Sequence, residues 1–348
     1  MRVPPCPNPT SNVAETGPER APNIFDVARL AGVSHQTVSR VLNRSPSVRA
    51  ATRERVERAI AQLRYSPSPQ ARALVTRRTR TIGLIAPSVA DHGPNVIAMH
   101  FNIAARVARY RVDTVSTAGD DPASVKSTVE ALLRERVDGI VLIVIDTSVL
   151  EMVRGLELGV PVIASASTQR RSPIVVSIDQ YRGARSAVRH LAELGHDRIV
   201  HLAGPPRATD SIERVRGWRD ELAERRLSIP EPIVGDWTAR SGYLIGKEME
   251  VEPGTAVFAS NDLMAMGLMA ALRERRLSVP GDVSLVGFDD VPEAAYLYPP
   301  LTTVRQDFAA LGELMMQKVL LALEEDEPAT PDTPLPTRLV VRESTRQR

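Results

Sequence analysis

With 348 residues, 43% of them hydrophobic and 25% charged, the chain is too long for one compact core and suits a small head on a larger body. The single cysteine, Cys6, excludes an intramolecular disulfide framework and a multi-cysteine zinc site, and no stretch approaches the ~20 apolar residues that span a bilayer. A net charge of +2 conceals a division: residues 22–80 hold 12 Arg, no Lys and three acids (Asp26, Glu54, Glu57), while residues 81–348 sum to −7.

A basic head on an acidic body points to phosphate neutralisation at one end, so nucleic acid is the expected partner. Residues 1–22 are Pro-rich and lack the apolar run of a signal peptide or anchor, so they read as a disordered leader of a cytoplasmic protein. Ile24, Val27, Ala28 and Ala31 recur at helical spacing, with Asn23 and Asp26 placed for a capping box and Gly32 for a left-handed stop. Ser34 then caps a second helix, on which Val38, Val41 and Leu42 face inward and His35, Gln36, Ser39 and Arg40 face outward. This is the form of a helix-turn-helix that offers a recognition helix to the major groove. The bland alternative is a helical hairpin whose polar residues are merely solvated.

A third helix is expected from about Ala50 to Leu63, with Val56, Ala59, Ile60 and Leu63 inward, although Arg49 at its cap position offers no acceptor. The helix-turn-helix domain is therefore placed at 23–66. Residues 67–80 contain two prolines and form either a plain linker or a segment that orders only on DNA. From Thr81 onward, short apolar runs are expected as strands at Thr81–Ala86, Gly139–Ile145, Val160–Ala164, Ile174–Ile178, Arg198–Ala203, Ala256–Ser260 and Val283–Phe288. Helices are expected at Asn95–Arg109, Ser124–Arg136, Tyr181–Leu194, Ile212–Arg225, Ser241–Glu250 and Asp262–Arg275. Near-continuous apolar strands alternating with helices imply parallel, doubly wound sheets, and the length implies two similar lobes. There is no phosphate-binding glycine loop, no metal-spaced His cluster and no nucleophile elbow, so neither an enzyme nor a cofactor or metal site is expected.

Eight motifs in order then resemble the lac-repressor (LacI/GalR) family of bacterial transcription regulators. They are Asp26-Val-Ala-Arg-Leu-Ala-Gly-Val-Ser34, Thr37-Val-Ser-Arg-Val-Leu-Asn43, Thr52-Arg-Glu-Arg-Val56, Gly195-His196, Ser260-Asn-Asp262, Val286-Gly-Phe-Asp-Asp290, Pro299-Pro-Leu-Thr-Thr303 and Arg338-Leu-Val-Val-Arg342. The resemblance implies a repressor that binds a palindromic operator as a homodimer. It further implies a core at 81–346 like a periplasmic sugar-binding protein, the N-lobe about 81–177 plus 307–330 and the C-lobe about 178–306 plus 331–346. The chain stops six residues after Arg342, without the family's tetramer-forming tail, so a dimer is expected.

The family's base-reading positions fall on His35, Gln36 and Arg40, with Thr37, Ser39 and Asn43 gripping phosphate. His35 stands where the family's namesake has tyrosine. Gln70 and Ala71 match the hinge helix, and Leu74 matches the apolar wedge pushed into the minor groove; alternatively, Leu74 is the first residue to pack on the core. A carbohydrate effector would contact Ser88 and Asp91 on one rim, and Arg214, Trp237, Asn261 and Asp289 on the other. Arg214 and Asp289 could instead simply pair, and Asn261 could be only a helix cap. Trp218 is expected in the core and His196 in a structural role. The family's aspartate after the strand Val160–Ala164 is missing: Ala164-Ser-Ala-Ser167 stands there, with Asp91 as its candidate replacement. A galactoside-like inducer is the expected ligand. A corepressor-dependent regulator and a sugar-binding protein that does not bind DNA are the alternatives.

Overall fold

In the computed structural model, which describes residues 22–42, 45–65, 78–87, 91–117, 121–155, 158–168, 172–252, 254–324 and 333–348, the first helix starts where local chemistry dictates. Asn23 Oδ1 accepts from the backbone N–H of Phe25 (2.9 Å) and Asp26 (3.1 Å), and Asp26 Oδ2 accepts from Asn23 N–H (3.0 Å). This reciprocal box opens α1 (Ile24–Ala31), and Gly32, at φ 63°, closes it. Ser34 Oγ accepts from Thr37 N–H (3.2 Å) to start α2 (His35–Leu42). As expected, α3 (Ala50–Leu63) begins at Arg49 without a side-chain cap. Val27, Val38 and Val56, one from each helix, are fully buried at the centre of the head. Asn23→Ala should cost about 1 kcal/mol of head stability, seen as roughly fivefold faster amide exchange across α1 in the full chain.

A separate unit covers Thr79–Arg348. Its N-lobe contains β1 (Thr81–Pro87), α4 (His92–Val107), β2 (Arg111–Thr117), α5 (Pro122–Arg134), β3 (Gly139–Ile143), α6 (Thr147–Arg154), β4 (Val162–Ser165) and β5 (Val175–Val176). The strands pair in the order β2-β1-β3-β4-β5, all parallel. The C-lobe contains α7 (Gln180–Glu193), β6 (Ile199–Ala203), α8 (Thr209–Glu224), β7 (Ile233–Val234), α9 (Ala239–Glu248), β8 (Ala256–Ala259), α10 (Asp262–Glu274), β9 (Ser284–Asp289), a 3₁₀ turn (Pro292–Tyr296) and β10 (Thr302–Arg305). After β10 the chain returns to the N-lobe as α11 (Phe308–Glu324), then adds β11 (Arg338–Val340) antiparallel to β10, giving the order β11-β10-β9-β8-β6-β7. β1, β3, β6, β8 and β9 are buried along their whole length, which is why they read as unbroken apolar runs.

The lobes are joined at three crossings, at residues 177–179, 306–307 and 333–337. Two run side by side: Leu335 N–H donates to Ser177 O (2.9 Å) and Asp179 N–H to Leu335 O (2.8 Å). Within the C-lobe, α9 and α10 meet through glycine. A Cβ on Gly267 would lie 1.8 Å from Ala239 O, and one on Gly242 would lie 2.1 Å from Met264 O. The expected core helices end one or two residues early and start up to three early, α10 beginning at Asp262 as expected, and several elements were not expected at all: β2, α6, β7, the 3₁₀ turn, β10, α11 and β11. Thr79 and Arg80, expected as the end of the linker, are held by the core. Their N–H groups donate to the two carboxylate oxygens of Asp138 (2.7 and 2.8 Å). Among the described residues no helix is long and apolar enough to cross a membrane.

Candidate functional site

Two surfaces collect the singled-out residues. On the head, the inward set Val38 and Val41 fixes the roll of α2, leaving His35, Gln36 and Arg40 exposed and Thr37 and Ser39 half-buried beside them. The His35 ring packs against Phe25 at 5.2 Å, and Thr37 is tied to Ser34 through their hydroxyls (3.0 Å). Asn43, Gln70, Ala71, Leu74 and Ser88 lie outside the described residues.

Between the lobes is a cleft of about 310 Å³, lined by Asp91, Arg214, Trp237, Asn261 and Asp289 among others. Asp289 ends β9 and is 7% exposed, at a strained φ of 110° that points to functional placement. Arg214, on the buried face of α8, approaches it at 3.7 Å. The pair is part of a closed ring. Gln306 Nε2 donates to Asp289 Oδ1 (2.7 Å), Gln180 Nε2 donates to Gln306 Oε1 (2.7 Å), and Arg214 Nε donates to Gln180 Oε1 (3.0 Å). Gln306 stands on one crossing and Gln180 opens α7 directly after another, so the ring is fastened to the joints between the lobes.

Arg214 also donates to Ser260 O and stacks 3.9 Å from the centre of the Phe288 ring, with Trp237 at 5.4 Å. Trp237 adopts φ 74° and lies so close to Gly204 that a Cβ there would meet the indole at 2.3 Å. Asn261 is committed on two sides: Oδ1 caps α10 at Met264 N–H (2.9 Å), and Nδ2 donates to Trp237 O (2.9 Å). Thus the cap role left open for Asn261 is present, and the same side chain anchors the tryptophan turn. Trp218 is fully buried with Nε1 donating to Ile199 O, and both ring nitrogens of His196 meet carbonyls, those of Gly254 and Arg346.

The lobes touch at the mouth of the cleft. Arg207 grips Asp146 with two hydrogen bonds of 3.0 Å, and Thr209 N–H donates to Ile145 O (3.0 Å). Hydrogen bonding from Arg207 holds the Asp146 carboxyl well below the usual range. Ser167, in the loop without the expected aspartate, donates to Asp210 Oδ1 (2.6 Å) from the opposite lobe. The carboxylate hydrogen-bonded to that loop is therefore that of Asp210, whereas Asp91 precedes α4 on the cleft wall. Burial pushes the Asp289 carboxyl up to about 7, with Asp210 and Asp91 adding to the rise while Arg214 and the Gln306 hydrogen bond oppose it. At Asp262, behind Asp289, burial and, after it, that neighbour's charge push the carboxyl well above its usual range, while it accepts from Thr303 Oγ1 (2.6 Å) and Val291 N–H (2.9 Å).

A planar guanidinium, carboxylates and an indole face within one cleft match the hydroxyls and the apolar face of a sugar-like ring. The sequence did not single out Gln180, Gln306, Gly204, Asp146, Arg207 or Asp210. Only Gly204, next after the strand Arg198–Ala203, carried a local signal.

Residues 23–68 match the bacterial regulatory proteins of the lacI family, and residues 188–345 match the periplasmic binding protein-like domain. The lactose operon repressor of Escherichia coli (strain K12) is 35% identical over 92% of this chain and 90% of its own. A crystal structure of the lac repressor dimer bound to operator and the anti-inducer ONPF superposes with a TM-score of 0.85, at 33% identity over 94% of this chain and 100% of that one. The complex of the transcriptional regulator CelR with cellobiose superposes with a TM-score of 0.67, at 31% identity over 93% of this chain and 99% of that one.

Proposed function

The chain belongs to the lacI family of bacterial regulatory proteins, and from that premise we propose that it is a cytoplasmic transcriptional repressor that binds a palindromic operator as a homodimer and is released by a small carbohydrate. Arg40 and Gln36 carry the base reading, through forked hydrogen bonds to guanine and adenine, with His35 beside them and Thr37 and Ser39 on phosphate. Asn43, Gln70, Ala71 and Leu74 complete the DNA contacts, the last as a minor-groove wedge. Arg214, Asp289, Trp237 and Asn261, with Ser88 and Asp91 on the opposite rim, bind a galactoside-like effector. Relatives named as lactose and ribose operon repressors support the repressor reading.

The observation that carries the effector control is the ring Arg214–Gln180–Gln306–Asp289. A sugar hydroxyl that takes hydrogen bonds from Arg214, or gives one to Asp289, must re-pair the glutamines at the crossings. Ligand binding is thereby coupled to lobe rotation, and an inducer that weakens operator binding must bind the operator complex more weakly to the same degree.

Selection of genomic fragments by purified protein at fixed salt, with and without galactosides and cellobiose, tests this. An enriched palindrome released by one of these sugars is expected. A palindrome bound only when ligand is added means corepressor logic, and no enrichment in either condition removes the repressor assignment.

The cleft also sets a pH dependence. In the free protein the Asp289 carboxyl keeps its proton up to about pH 7, whereas a hydroxyl-donating ligand needs the ionised form. The other titratable groups lining the cleft are the carboxylates Asp91, Asp146, Asp210 and Asp236, the arginines Arg207 and Arg214, and His92, whose pKa burial lowers. Sugar affinity should therefore be about tenfold higher at pH 8 than at pH 6. Because the folded pKa is raised, the contribution of this group to stability is fully present below about 3.8 and lost as pH rises through 7. The ligand-free melting temperature should thus move in the opposite direction to the affinity. Calorimetric titrations and melts of the wild type and of Asp289→Asn check both, with the pH dependence disappearing in the variant.

A further inference from the structure

Arginine recurs where the chain enters the first three strands of the N-lobe sheet. Arg80 precedes β1, Arg111 opens β2 with Arg109 just before it, and Arg136 and Arg134 lie ahead of β3. Parallel pairing places these entries on one edge: Arg111 N–H donates to Arg80 O, and Asp138 N–H to Thr81 O, both at 2.8 Å. Arg106, in the last turn of α4, adds a sixth guanidinium, and all six are exposed. The acids at this edge are Asp113, which pairs with Arg111 at 3.6 Å, Glu135, and Asp138, whose oxygens accept from the backbone of Thr79 and Arg80.

The edge is therefore basic on a body that sums to −7. Complementing helix C-termini explains Arg106 and Arg134, and in part Arg109 and Arg136 just past the caps of α4 and α5, but not Arg80 or Arg111. Arg80, Arg109 and Arg136 sit at φ 52°, 62° and 59°, where glycine is the easier residue. Arg106, Arg109, Arg134 and Arg136 form no ion pair among the described residues, whereas at the C-lobe sheet Arg198, just before β6, pairs with Glu252 and Arg348 with Asp197. Arg226 and Arg276, which follow C-lobe helices, likewise form no ion pair among the described residues but are not gathered with four others on one edge.

We propose that this edge is a second DNA-contact surface, which grips backbone phosphates flanking the operator. The proposal rests on the assignment of the chain as a DNA-binding regulator. Two further observations select duplex DNA as the occupant. The edge has six guanidinium groups to match phosphate, and charge outweighs the exposed Val107 that lies among them. It is also the edge at which the core unit begins, at Thr79 and Arg80. Contacts of this kind carry no sequence information and strengthen as salt falls.

The test compares the palindrome selected by the protein as a duplex of about 20 base pairs with the same palindrome centred in about 60. The variant is Arg106→Ala/Arg109→Gly/Arg136→Gly, whose glycines suit the left-handed positions. The control is Arg226→Gly/Arg276→Gly, which alters the same backbone conformation in the C-lobe (φ 57° and 61°). The variant should lose about tenfold in affinity for the long duplex at low salt, and its salt slope should fall by about 2 or more at roughly 0.9 per lost phosphate contact. Its affinity for the short duplex, and both affinities of the control, should change less than twofold. An unchanged slope on the long duplex, or an equal loss in the control, overturns the proposal. If the wild type binds neither duplex, the regulator assignment fails and this surface fails with it.

Discussion

Arg214→Met leaves a repressor that binds operator but no longer answers its sugar. Methionine keeps much of the aliphatic stem and removes the guanidinium that reaches Gln180, Ser260, Asp210 and Asp289. Asp289, nearly buried, then loses the cation that pairs with it among the described residues. Its carboxyl, already pushed up to about 7, moves further up and ceases to accept from a hydroxyl at neutral pH. The loss of a forked donor and of an ionised acceptor together should weaken sugar binding at least about a hundredfold, two charge-assisted hydrogen bonds being worth about 3 kcal/mol or more. Removing one partner of a buried pair costs roughly 3 kcal/mol of stability, and Arg214→Met/Asp289→Asn should recover part of it because no buried carboxyl is then left to be held protonated against its free ionisation. Calorimetric titration with the inducing sugar and operator binding without sugar separate the two effects. A wild-type response to sugar in Arg214→Met would remove this residue from the effector site.

Gly267→Ala should have the largest effect on stability. By helix propensity alone the exchange is favourable by about 1 kcal/mol, so any destabilisation reports packing. The added methyl would lie 1.8 Å from Ala239 O and 2.7 Å from Tyr243 N, both backbone atoms that cannot swing aside. The clash forces α9 away from α10, at a cost of roughly 3 kcal/mol. The damage extends beyond the helix pair. Thr238 caps α9 and Asn261 caps α10 while tying down Trp237 O, so displacing either helix end moves the indole. A melting temperature lowered by several degrees together with weakened sugar binding is expected. A stabilised protein would mean that the two helices have slack that the geometry does not show.

How much of this could be read from the sequence depends on how local the physics was. The head was legible because its caps act across three or four residues: Asn23 with Asp26, Gly32 on Ala28, Ser34 with Thr37. The buried strands were legible because both of their faces are covered. β2 was not, since it lies at the edge of its sheet and mixes exposed Arg111, Thr114 and Ser116 with half-covered neighbours, which blurs the apolar run. α11 was missed for the opposite reason. Leu, Met and Val on almost every side leave little polar face to mark a helical period. In the cleft, Arg214, Trp237, Asn261 and Asp289 are brought together as the family resemblance implied. Gln180 and Gln306, 126 residues apart and hydrogen-bonded, carry no local mark of their role.

The interleaving of the lobes has a consequence during synthesis. The face of the first sheet formed by Ile82, Leu84 and Val141 is covered by Leu311, Met315 and Val319 of α11, which emerge only after most of the second sheet. That second sheet waits longer still, for β11 and for Ser344, which bonds Thr302 N–H and both backbone groups of Leu285. A ribosome that stalls past residue 300 has therefore made nearly every strand and finished neither lobe. The nascent chain exposes both apolar faces to chaperones and proteases until its last few dozen residues arrive. Quality control thus falls on the final stretch of translation, and a message damaged near its 3′ end yields a product with two open cores instead of a shortened but usable regulator.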